Sequence, residues 1–296
     1  MSASRRVLWV LALAALACAK PGLRGPSASK EAVRLLGARL DPKLPDPAAA
    51  AAVVRELGWS GREEAVEPLL SLWNTLLARK FRLQGLAPEL ESLRADIAEA
   101  LGRLGDIKGV PALRRGLIDD DARVAAVSAA ALAGLGDAAS LPYLIRLAEG
   151  SDAAGACAAF EALGALGGLE AEAALRKGLS AEEPTRRAAA AYGLARMGRV
   201  GGILHLDGFL EESTELAPEL ILAARYLAEF GRPNGWAMLE RLAREAEPGL
   251  RREAALAYGR LPGGKALGGL RALAKDADAG VREAAKRGLA FRGVHE

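Results

Sequence analysis

The stretch RVAAVSAAALAGLG, from Arg123 to Gly136, places Val124, Val127, Ala131, Leu132 and Leu135 three and four residues apart. That spacing is the apolar stripe of an amphipathic helix. Gly136 follows the last turn, where a residue with positive φ ends a helix at little cost. The pattern recurs along the chain. Gly105, Gly136, Gly167, Gly198, Gly231, Pro262 and Gly293 stand 31, 31, 31, 33, 31 and 31 residues apart. Four residues before each stand Leu101, Leu132, Leu163, Leu194, Leu227, Tyr258 and Leu289. Three residues before each is Gly102, Ala133, Gly164, Ala195, Ala228, Gly259 or Ala290. Eight residues after the first six stand Leu113, Leu144, Leu175, Leu206, Leu239 and Leu270. A fixed period of this length marks a repeat array.

Each period holds two helices. The first, as in Val110–Ile118 or Leu141–Ala148, opens near Pro111 or Pro142, a residue tolerated in a first helical turn. The small residues let neighbouring helices approach closely. Two short helices cannot bury their apolar faces alone, so successive pairs must stack into one continuous core. Composition agrees: 51% of the residues are hydrophobic but only 4% aromatic, so Ala and Leu carry the hydrophobicity. That suits packed helices and disfavours a β-sandwich or barrel.

These residues resemble the HEAT-repeat family, in particular the short bacterial units of phycobilin-lyase-like proteins. The family signature D-x-D-x-x-V-R stands here as Asp276, Asp278, Val281 and Arg282. It recurs as Glu245, Glu247, Leu250 and Arg251, and as Asp119, Asp121 and Val124 with Ala125 in the arginine place; Arg94 and Arg187 hold that place in two more units. The resemblance implies an all-α α-solenoid, a superhelix of about seven to eight two-helix repeats of about 31 residues, with acids and arginines laddered between neighbouring repeats. Residues 89–296 form the array and 47–88 a degenerate N-terminal capping repeat. From Leu70 to Gly105 is 35 residues, whereas Leu113 to Gly136 is 23, so the capping repeat carries an insertion of 12.

The N-terminus reads as an address. Arg5 and Arg6 precede the apolar run VLWVLALAALA from Val7 to Ala17, the pattern of a secretory signal over residues 1–17. Eleven apolar residues are too few to span a bilayer. Ala15-Leu16-Ala17-Cys18 resembles the lipobox of bacterial lipoproteins, with Ala15 where that family favours Leu; the resemblance implies lipid attachment at Cys18. The same residues fit an ordinary small-x-small cleavage site that would release a soluble product. Residues 18–46 begin with the Pro/Gly/Ser-rich stretch AKPGLRGPSAS and read as a tether and irregular N-terminal segment.

The search for chemistry returns little. With two Cys and two His there is no disulfide framework and no histidine-rich metal centre. His205 lies among leucines in a first-type helix, and His295-Glu296 ends the chain. The HEAT-like deoxyhypusine hydroxylases carry repeated His-Glu pairs to hold iron, and one terminal pair does not reproduce them. Cys157 takes a place filled elsewhere by Ala95, Ala126 and Ala188, as a packed thiol would. P-loop, dinucleotide-binding and nucleophile-elbow motifs are absent from the sequence. The net charge of +3 falls to +1 without Arg5 and Arg6. The positions expected to be exposed on the second helices include Glu161, Tyr192 and Arg196, and the charges among them at Glu99/Arg103, Arg225/Glu229 and Glu283/Arg287 cancel in pairs four apart. A nucleic-acid groove needs uncompensated cations.

The expectation is a non-catalytic, cofactor-free protein-binding scaffold of a bacterial cell envelope, anchored through lipid at Cys18, with another protein as partner and no nucleic acid. A phycobilin-lyase-like activity on the same fold is the alternative, and a nucleic-acid-binding array the second. The residues expected at the protein interface are Arg79, Lys80, Phe81 and Arg82 in the inserted segment, and Tyr192, Arg196, Arg225 and Arg260 on second helices. For the insertion, the competing expectation is that Phe81 and Leu86 fold back as a hydrophobic cap.

Overall fold

The computed structural model describes residues 46–150, 152–212, 217–291 and 294. The signal, Cys18 and the tether lie outside the described residues, as do Gly293 and His295-Glu296. The described residues form fifteen α-helices and three short 3-10 turns, with no strand among them. The fold is all-α and solenoid-like.

Helices divide into two layers, and the chain into two compact units. In the first unit the inner layer is α1 (Pro47–Trp59), α3 (Pro88–Leu104), α5 (Ala122–Gly134) and α7 (Ala153–Leu166). Each inner helix packs on the next, and the outer helices α2 (Val66–Leu83), α4 (Val110–Gly116) and α6 (Leu141–Glu149) pack on them. The second unit repeats the scheme. Its outer helices are α8 (Leu169–Gly178), α10 (Val200–Glu212), α12 (Pro233–Leu242) and α14 (Gly263–Leu273). Its inner helices are α9 (Pro184–Arg196), α11 (Pro218–Glu229), α13 (Pro248–Arg260) and α15 (Ala279–Phe291).

The repeat register does what its chemistry dictates. All thirteen residues of the two in-phase columns, from Leu101 to Leu289 and from Leu113 to Leu270, are buried. Gly105, Gly136, Gly167, Gly198 and Gly231 have φ between 68° and 77°, the left-handed conformation that closes each inner helix. Pro262 cannot adopt it. There α13 ends instead through an extended Leu261, and the positive φ moves to Gly263. Small residues set the spacing between inner helices: a Cβ on Gly102 would lie 2.6 Å from the Ala131 Cβ, and one on Gly58 2.8 Å from that of Ala100.

Two sequence expectations need correction. The inner helix α5 is not amphipathic in its surroundings: Val124 to Ala133 are buried without a break, and so are Ala153 to Gly164 of α7. Each is flanked by inner neighbours and covered by outer helices, so the polar positions are enclosed as well. The insertion, expected as a loop, is taken up mainly as helix. α2 runs 18 residues against seven for α4, and stops where Gln84 turns left-handed at φ 55°.

Candidate functional site

Charge is organised by the repeat. In the last two repeats the Arg251 guanidinium donates to both carboxylate oxygens of Asp276, at 2.8 and 2.9 Å, and to the carbonyls of Glu245 and Ala246. Arg282 repeats the carbonyl half of this pattern on Asp276 and Ala277, and Arg187 on Ala181 and Glu182. Hydrogen bonding by Arg251, against a modest opposing effect of burial, holds the Asp276 carboxyl at about 2. Arginine and acceptor also disappear together: Ala125 replaces the arginine in one repeat, and 25 residues later Gly150 replaces the acid. These residues are the ladder that the family resemblance implies.

The first rung is elaborated. Arg94 of α3 is fully buried beneath the rings of Trp73, 5.0 Å away, and pairs with Asp119 and with Glu91 at 2.8 Å. Lys80, near the end of the lengthened α2, reaches the same place. Its ammonium lies 2.8 Å from Asp119 and 3.0 Å from Glu91, and also pairs with Asp120. Burial alone would raise the Asp119 carboxyl, but hydrogen bonds from Arg94, Lys80 and the Asp121 amide bring it down to about 2. Burial works to lower Lys80, and its three carboxylate partners outweigh it and raise it above the ordinary lysine value.

The other side of α3 carries a second group. Arg123 of α5 donates to Asp96 at 2.9 Å, Glu99 pairs with Arg103, and Arg103 lies 4.3 Å above the Trp59 ring. Burial raises the carboxyls of Asp96 and Glu99 and lowers Arg103; the attraction between the groups opposes but does not cancel it. In the second unit Tyr192 stacks on Tyr226 at 3.9 Å, and its hydroxyl donates to Glu229 at 2.8 Å. Arg225 lies 4.2 Å from the centre of the Tyr226 ring.

The positions chosen from sequence therefore fall into three groups. Tyr192 and Arg225 are buried, as are Glu99 and Glu161, which the helical pattern had placed outside. Lys80 is held by three carboxylates and Arg260 is half-buried. Arg196 and Arg82 are exposed, Arg79 is partly so, and Phe81 is 76% exposed. Phe81 does not fold back as a cap. Sequence reasoning found the Glu99/Arg103 pair and the ladder positions Arg94 and Asp119, but missed the burial of Glu99 and the arrival of Lys80 and Glu91 at the Arg94–Asp119 rung; the i, i+3 spacing of Glu91/Arg94 was the available signal for Glu91.

His205 is exposed on α10, with Nδ1 2.8 Å from the Gly201 carbonyl of its own helix. Cys157 is buried like its alanine equivalents. Among the described residues no three His, Cys, Asp or Glu are grouped to hold a metal ion, and no helix is long and apolar enough to cross a membrane.

Comparison with known proteins gives one family. The sequence matches HEAT repeats over residues 79–155 and 218–290. No curated protein matches it. Among solved structures, the complex of CpcE and CpcF of phycocyanin lyase from Nostoc sp. PCC7120 is similar, with a TM-score of 0.52 and 22% identity, covering 91% of this chain and 95% of that one. Human deoxyhypusine hydroxylase in complex with glycerol aligns with a TM-score of 0.46 and 20% identity, over 89% and 96% of the two chains.

Proposed function

This chain belongs to the HEAT-repeat family, and on that premise we propose that it is a docking scaffold for another protein. The observation that carries the proposal is the row of mixed charges exposed along the inner helices of the second unit. Arg196 ends α9, Glu229 ends α11, and Glu283 and Arg287 stand on α15, all of them exposed. Among the same helices the Tyr192–Tyr226 stack and Arg225 are buried, and Arg260 lies half-buried on α13. Successive repeats thus present side chains of both signs in series. That surface chemistry suits an extended protein partner, as inner helices of repeat arrays do, and suits a phosphate backbone poorly.

We place the scaffold in a bacterial cell envelope, tethered through lipid on Cys18. The support is the basic start, the apolar run Val7–Ala17 and the Ala-Leu-Ala-Cys sequence at its end. Mass spectrometry of the mature N-terminus tests the anchor: an acylated Cys18 is expected, and an unmodified start would mean ordinary secretion. Affinity capture from the native envelope tests the function. A protein retained in fixed proportion is expected. A retained pigment or metal would favour the lyase-like alternative, and retained nucleic acid the second alternative.

A further inference from the structure

We propose that the C-terminal end of α2 is a second membrane contact, a small basic and apolar knuckle that rests on an anionic lipid surface. The inference builds on the envelope reading above, and its test does not depend on the lipid at Cys18.

Four observations carry it. First, Phe81 is 76% and Leu83 58% exposed on the last turn of α2, on a helix that outruns its outer-layer neighbour α4 by eleven residues (18 against 7). Ile118 is 69% exposed beside Asp119 and Asp120, two of the three carboxylates that Lys80 binds, so a third large apolar side chain belongs to the same corner. Secondly, Arg79 and Arg82 have no ion-pair partner among the described residues, whereas Lys80 between them has three. Counting Arg79, Lys80, Arg82 and Arg94 against Glu91, Asp119 and Asp120, four cations against three carboxylates, the corner keeps a net positive charge. Thirdly, the Lys80 cluster fixes the turn: its carboxylates come from α3 and from the segment between α4 and α5, so the helix end is clamped from both sides. Fourthly, the surface is a helix end. Apolar side chains flanked by arginines at an exposed helix end enter a headgroup layer, while the arginines meet anionic headgroups.

The chain's own arithmetic gives the contact a use. The 28 residues separating Cys18 from Asp46 span at most about 100 Å when extended. A weak contact becomes effective when a tether already holds it near the bilayer. Because α2 is the second helix among the described residues, the knuckle would hold the first unit against the bilayer.

The test uses the full-length chain with Cys18→Ser, so that no lipid contributes, and Ala78→Cys labelled with an environment-sensitive fluorophore. Ala78 is exposed on the same helix end, and Cys157 is buried and escapes labelling. Vesicles of phosphatidylcholine alone are compared with equimolar phosphatidylglycerol and phosphatidylcholine. We expect a blue shift on the anionic vesicles only, weakening as salt is raised. Arg79→Ser with Arg82→Ser should weaken the apparent affinity about 30-fold, and Phe81→Ser should abolish the shift, with circular dichroism unchanged for both. A fluorophore silent on anionic vesicles would overturn the proposal. So would a shift that survives both variants, because the apolar run Val7–Ala17 would then be the sole contact. A shift with polyglutamate but not with anionic vesicles would also overturn it and assign the knuckle to an acidic protein.

Discussion

Helix α3 carries charge on two sides, and the two sides behave in opposite ways. At its start Arg94 meets Asp119, Glu91 and Lys80, and there the Asp119 carboxyl is held at about 2, well below its ordinary value. Further along, Asp96 and Glu99 meet Arg123 and Arg103, and there both carboxyls are raised. In the first group four hydrogen bonds, one of them from a backbone amide, reach the Asp119 carboxylate. The second has buried acids with fewer hydrogen bonds than burial requires. Paired charge is thus a fastening on one side of the helix and a burden on the other, and proximity of opposite charges alone does not decide which.

The largest expected effect breaks the fastening. Arg94→Ala removes a fully buried guanidinium from Asp119 and from the face of Trp73. Losing one partner of a buried pair costs about 3–5 kcal/mol; urea unfolding should show a midpoint lowered accordingly. A loss below about 1 kcal/mol, the range of exposed pairs, would refute the distinction. Next comes the geometry that encloses the second group. Gly102→Leu forces a side chain against Ala131, where even a Cβ would stand 2.6 Å away. Overpacking of this kind costs about 1–3 kcal/mol. It should also part α3 from α5 and expose Asp96 and Arg123 to solvent, read as faster amide exchange in both helices.

Acid titration separates the two groups by sign. Asp119 has a depressed carboxyl, so its contribution is complete above its ordinary value near 3.8 and is lost as the pH falls through about 2. Asp119→Asn should therefore be less stable than the parent at neutral pH, with the gap closing below pH 4. Glu99 has a raised carboxyl, so the folded state binds its proton first and stability rises as the pH falls through that raised value. The stability of Glu99→Gln minus that of the parent should accordingly fall as the pH drops. Urea midpoints measured between pH 7 and pH 3 check both signs; equal slopes would contradict the comparison. The smallest effect belongs to the later rung. Arg251→Ala removes the pair with Asp276, which stands in a more open setting. It should cost less than Arg94→Ala, and salt should diminish the loss.

The repeat itself was legible. In-phase leucines report the core because burial leaves them no alternative, and register glycines report helix ends because few other residues take positive φ. The Arg–Asp ladder was legible through the family resemblance. What the sequence hid is tertiary. Lys80 and Asp119 are 39 residues apart, and nothing local shows that the inserted residues continue α2 far enough to join them. The burial of Glu99, Glu161, Tyr192 and Arg225 was hidden for a related reason. Helical periodicity shows which face differs from the core face, whereas enclosure depends on the helices packed around it; around Glu99 it follows from how closely Gly58 and Gly102 let the neighbouring inner helices approach.

The comparison has a functional side. Because the buried charges on the inner helices are taken up with one another, partner binding belongs to the exposed charges above them. Capture of the native partner by three forms of the protein tests this most directly: the parent, Arg196→Ser with Arg287→Ser, and Glu99→Gln. The account predicts that the double variant melts like the parent yet loses capture, while Glu99→Gln retains it. Capture lost in Glu99→Gln with its fold intact, and kept in the double variant, would contradict it.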